Sequence, residues 1–64
     1  MNLLMKIRVY DDETYDKILS YEAFQAPRIG DTILQGDLDV QVEGRQWVFG
    51  KKSGKLKYIA VWVK

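Results

Sequence analysis

Met5-Lys6-Ile7-Arg8-Val9-Tyr10 alternates apolar and polar side chains residue by residue. A period of two puts Met5, Ile7 and Val9 on one face of a strand and Lys6 and Arg8 on the other, so the segment predicts a strand with one buried side. Asp11-Asp12-Glu13-Thr14 then interrupts the alternation as a turn does. Extended segments return at Thr32-Ile33-Leu34, over Asp39 to Phe49, and over Leu56 to Val63. Between them lies turn chemistry. Pro27 fixes its φ and pushes Ala26 towards extended geometry, and Gly30 supplies a residue that tolerates positive φ. Gln35-Gly36-Asp37 reads as a tight turn, and Gly50-Lys51-Lys52-Ser53-Gly54 as a polar one.

The longest strand changes parity. Val40 and Val42 face one way, and beyond Gly44 the large residues Trp47 and Phe49 occupy the opposite parity. An interior glycine at such a switch predicts a β-bulge that bends the strand. Trp47 is expected in the core, so that its truncation would unfold the domain. Ala60-Val61-Trp62-Val63 is apolar on both faces, and that end should be covered on both sides. Residues 15–25 read two ways. As a helix, Asp12 is the N-cap and Pro27 the stop; as a strand, Ile18 to Phe24 folds back on the first strand as a hairpin. The strand is favoured because the rest of the chain is β.

A chain of 64 residues without cysteine has neither disulfides nor thiolate metal ligands to hold it. Its core supplies about 3–5 kcal/mol, so it depends on large side chains or on a second copy of itself. Two Trp, two Phe and four Tyr serve the first need. The expected architecture is a single all-β domain over residues 1–64, a small five-stranded antiparallel SH3-like barrel or rolled sheet. The alternative is an α+β fold with one short helix at about 13–25.

The order of strand, acidic turn, strand, Pro27-Arg28-Ile29-Gly30-Asp31-Thr32-Ile33, short turn and Val42-Glu43-Gly44-Arg45-Gln46-Trp47-Val48 resembles small SH3-like β-barrel proteins of bacteria and phages, whose function is uncharacterised. The resemblance runs through nearly the whole chain on short motifs such as P-x-x-G-D-x-I. It implies the fold. For function it implies the range those families cover, from adaptors and nucleic-acid binders to phage accessory factors, and it carries no catalytic residue.

The absence of histidine and cysteine removes imidazole bases, thiol nucleophiles and zinc fingers together, and Ser20 and Ser53 have no base to activate them. No enzyme activity, cofactor or metal is expected. Asp11, Asp12, Glu13 and Asp16 lack the alternating spacing and central glycine of a calcium loop, and read as a solvated turn. Asp31 reads as a turn residue whose carboxylate accepts backbone N–H bonds. Charge is unevenly divided. Residues 1–43 hold four basic and nine acidic side chains, whereas 44–64 hold six basic and none acidic. Arg45, Lys51, Lys52, Lys55 and Lys57 are therefore the candidate polyanion-binding residues, with aromatics nearby to stack bases. The competing reading makes those lysines a solubilising face that blunts a sheet edge.

The primary functional expectation is a binding module that docks a protein partner, or forms a homo-oligomer, through a strand edge or through Tyr10, Tyr58 and Trp62. Nucleic-acid or nucleotide binding by the 45–58 hairpin is the alternative, and an accessory protein that blocks a host factor is a third. No apolar run approaches the ~18 residues of a membrane span. With no leader pattern and no cysteine, the cytoplasm is the expected compartment.

Overall fold

The computed structural model describes residues 4–64. They form five strands and no helix: β1 (Met5–Asp11), β2 (Lys17–Ala23), β3 (Thr32–Gln35), β4 (Leu38–Phe49) and β5 (Leu56–Val63). Among these residues nothing is a helix long and apolar enough to cross a membrane. The strands make one curled sheet in the order β2-β1-β5-β4-β3, compatible with a small SH3-like barrel. The strand reading of residues 15–25 holds and the helical alternative does not, because β2 pairs along its length with β1, Met5 opposite Ala23 and Val9 opposite Leu19.

One pairing departs from the antiparallel expectation. β1 and β5 run parallel, from Ile7 opposite Ile59 to Asp11 opposite Val63. β5 lies between β1 and β4. Its Ile59, Val61 and Val63 are fully buried, packed with Ile7, Val9 and Val42. The expectation that its end is covered on both sides is met only in part: the core covers the inner face, while on the outer face Trp62 packs with Tyr10 and Tyr15 and stays partly exposed.

The bulge in β4 falls where the parity change placed it. Val42 faces Val63 and Gly44 faces Trp62, leaving Glu43 as the extra residue. The glycine is not there for its dihedrals: a Cβ on Gly44 would meet only Trp62 Cδ1 at 3.7 Å, ordinary contact. Gly36 does need its freedom. It opens the two-residue turn between Gln35 and Leu38 with φ +58°, as a II′ hairpin turn requires. The Pro27–Asp31 segment closes as expected, with Asp31 Oδ2 accepting the Arg28 amide at 2.8 Å. It is laced to β4 by Gly30 N–H donating to the Val42 carbonyl and Val42 N–H to that of Asp31, both 2.8 Å.

The curl stays open. The Cα radius of gyration is 12.1 Å, above the roughly 11 Å of a compact chain of this length. Beyond Gln41, β4 has no β3 partner, and the lacing segment does not extend over its far end. Trp47 lies on the inner face, opposite Ile59, yet it is 47 % exposed, with Phe49 at 56 % and Phe24 at 61 %. The expectation of a core Trp47 is thus corrected: parity placed it on the right face, at the uncovered end of it.

Two substitutions separate these roles. Ile59→Ala removes a fully buried side chain at about 2–5 kcal/mol, comparable to the stability of so small a domain, and should abolish the cooperative urea transition. Trp47→Ala should keep that transition with a modest drop in midpoint. Unfolding of the Trp47 variant alone would contradict the open curl.

Candidate functional site

Strand register divides the side chains into an inner face that holds the core and an outer face that does not. On β1 the outer residues are Lys6, Arg8 and Tyr10, and on β5 they are Tyr58, Ala60 and Trp62. Arg8 lies beside Ala60 and Tyr10 beside Trp62. All three aromatics singled out in the sequence therefore share one surface, each half-buried there rather than in the core. Two groups form along it. The Tyr10 and Trp62 rings are 5.2 Å apart at 34°, and Tyr15 meets Trp62 edge-on at 5.7 Å and 87°. At the other end the Arg8 guanidinium lies 4.1 Å over the Tyr58 ring, a cation held on an aromatic face.

Tyr15 gives no signal in the sequence beyond being aromatic. It is 70 % exposed and has φ +63°, a left-handed conformation costly for a bulky residue. The acidic turn imposes it. Tyr15 N–H donates to the Asp11 carbonyl at 2.9 Å, and Asp11 N–H to that of Asp16 at 2.9 Å. Asp11 Oδ1 accepts the amides of Glu13 at 2.7 Å and Thr14 at 3.1 Å. Those two bonds favour the charged form and lower the Asp11 pKa below its ordinary value. The turn is tied to β5 by Asp12 N–H donating to the Val63 carbonyl at 2.8 Å, which brings Tyr15 to Trp62.

The basic set is rearranged. Lys51, Lys52 and Lys55 lie in and beside the β4–β5 turn, closed by Gly50 N–H on the Lys55 carbonyl at 2.7 Å. Lys57 follows on β5. It does not share a strand face with Lys55 by simple alternation, because a second irregularity pairs Val48 with Tyr58 and Phe49 with Leu56 and leaves Lys57 as the extra residue. Arg45 is not part of the group: it lies opposite Val61 on the inner side and donates from Nη1 to the Pro27 carbonyl at 3.2 Å. What joins the lysines instead is Lys6 and Arg8. Because β1 and β5 run parallel, both begin at the end where the β4–β5 turn lies. A cleft of about 570 Å³ opens there, lined by Leu4, Lys6, Arg8, Leu56, Lys57 and Tyr58. A second, of about 320 Å³, runs beside Lys6, Arg8, Lys17, Ser20 and Glu22. Both hollows lie on the surface of the sheet rather than inside a barrel. The acidic turn lies at the opposite end, so the sheet is basic where β1 and β5 start and acidic where they finish.

Compared with protein-family models, curated proteins and solved structures, the chain matches none.

The Asp11 carboxylate stabilises the turn only when charged, so its contribution is complete above the ordinary aspartate value of 3.8 and is lost as pH falls through the depressed one. In an NMR acid titration the Glu13 and Thr14 amide shifts should move together with a midpoint below 3.8. Separate midpoints, or a shared one at or above the ordinary value, would mean that the turn is not built on these two bonds.

Proposed function

We propose that the domain is a non-enzymatic binding module that docks a protein partner on the outer face of its sheet, through Tyr10, Tyr15 and Trp62. The observation that carries this reading is Tyr15. The core is filled without it, yet five hydrogen bonds of the acidic turn and its tie to β5 hold the residue in an unfavourable backbone conformation, with its ring exposed against Trp62. Strain maintained at an exposed aromatic is a feature of recognition surfaces more than of packing. The neighbouring carboxylates of Asp12, Glu13 and Asp16 suit a partner segment bearing lysine or arginine, which aromatic faces also attract. The basic end of a second copy of the chain has that chemistry, so self-docking uses the same surface. A chain without cysteine suits the reducing cytoplasm, and no catalysis is assigned, since Ser20 and Ser53 stand without a base.

A photo-crosslinking benzoylphenylalanine at position 15 tests the surface in living cells, with the same group at Asp37 in the β3–β4 turn as the control. The expected result is a protease-sensitive adduct from position 15, to another protein or to a second copy, that is absent from position 37 and lost on adding Trp62→Ser. No adduct from position 15, or equal adducts from both positions, contradicts the proposal.

A further inference from the structure

The other end of the outer face carries a second inference, which does not depend on the docking of a protein at Tyr15. We infer that the cleft at the start of β1 and β5 binds single-stranded nucleic acid, with phosphates on Lys6, Arg8 and Lys57 and a base stacked beside the Arg8–Tyr58 pair.

Charge is the first support. Six basic side chains reach this end from three separate stretches: Lys6 and Arg8 on β1, Lys51, Lys52 and Lys55 around the β4–β5 turn, and Lys57 on β5. The register brings one acid among them, Glu22 opposite Lys6. Of the lysines legible as a polyanion site, Lys57 lines the cleft, and the parallel pairing adds Lys6 and Arg8 beside it. Shape is the second support. The cleft, at about 570 Å³, lies within the range of about 300–1,000 Å³ that ligand sites occupy. Its walls are apolar at Leu4 and Leu56 and aromatic at Tyr58.

The chemistry of those walls selects the ligand. Phosphates alone need only the ammonium groups, and so does an acidic peptide. A flat ring carrying a planar guanidinium at 4.1 Å offers a surface that matches an unpaired base, which stacks on both aromatic rings and arginine planes. In a duplex the base faces are already stacked and this plate has nothing to receive. The acidic turn at the far end repels phosphates, so the strand crosses the starts of β1 and β5 and stops short of Trp62. The footprint is therefore Lys6, Arg8, Lys57 and Tyr58, assisted by the turn lysines.

Fluorescence anisotropy with a labelled oligothymidine of about 12 nucleotides tests this. Unlabelled duplex DNA, polyphosphate and polyglutamate serve as competitors. With about three phosphates neutralised, affinity should fall roughly 20-fold between 50 and 200 mM salt. Tyr58→Leu should weaken the oligothymidine roughly tenfold and leave polyphosphate unchanged, whereas Lys6→Glu with Lys57→Glu should abolish both. Trp62→Phe should alter neither. The two lysines are exposed, so that pair remains a fair test if Tyr58→Leu lowers the thermal transition. Absence of binding at the lower salt overturns the inference. So does competition by duplex, polyphosphate or polyglutamate as effective as that of single strands, which would make the cleft a general anion or acidic-protein site. Neither outcome bears on crosslinking at position 15.

Discussion

The domain depends on the parallel pairing of β1 with β5. Taken separately, β1 and β2 are a hairpin and β3, β4 and β5 a meander, and each exposes half of an apolar face. A two-stranded hairpin is marginal in water. Only when Ile7 and Val9 come beside Ile59 and Val61 do the two halves bury each other. The partners lie at opposite ends of the chain, so loop-closure entropy must be met before any of that burial is gained. The local turns offset some of it. Asp31 closes the Arg28 turn, Gly36 the β3–β4 turn and Asp11 the acidic one, so little freedom is left within each half when the halves meet.

The same pairing distributes the charge. An antiparallel β1 would lay Lys6 and Arg8 beside the end of β5 and the acidic turn beside the lysines, and the two sets would neutralise one another. In the parallel arrangement like charges gather at the same end, which costs repulsion at both. That cost is carried by a core that does not include the outer face. Recognition and folding are thereby divided between the two sides of one sheet, with Ile7, Val9, Ile59, Val61 and Val63 on one and Arg8, Tyr10, Tyr58 and Trp62 on the other.

Local chemistry made much of this legible in advance. The alternation at Met5–Tyr10, the glycine at the parity change in β4 and the carboxylate of Asp31 each act over a few residues, and each is found where the sequence placed it. Tyr10, Tyr58 and Trp62 were singled out as aromatics a partner could meet, but the face they share follows from the strand register. What could not be read was non-local. Nothing in Lys6 or Arg8 announces that they neighbour Lys57, because that follows from the direction in which β1 meets β5. Trp47 has the hydrophobicity and parity of a core residue, and its exposure depends on how far β3 and the Pro27–Asp31 segment extend across β4. The backbone conformation of Tyr15 arises from hydrogen bonds between neighbours, any of which would also suit an ordinary turn.

The direction of β1 against β5 is the claim on which the core, the two charged ends and the cleft all stand. Nuclear Overhauser contacts in a uniformly labelled sample measure it directly. Contacts are expected between Ile7 and Ile59 and between Val9 and Val61, with none between Ile7 and Val63. Contacts joining Ile7 to Val63 and Asp11 to Ile59 would show an antiparallel pair and contradict that claim.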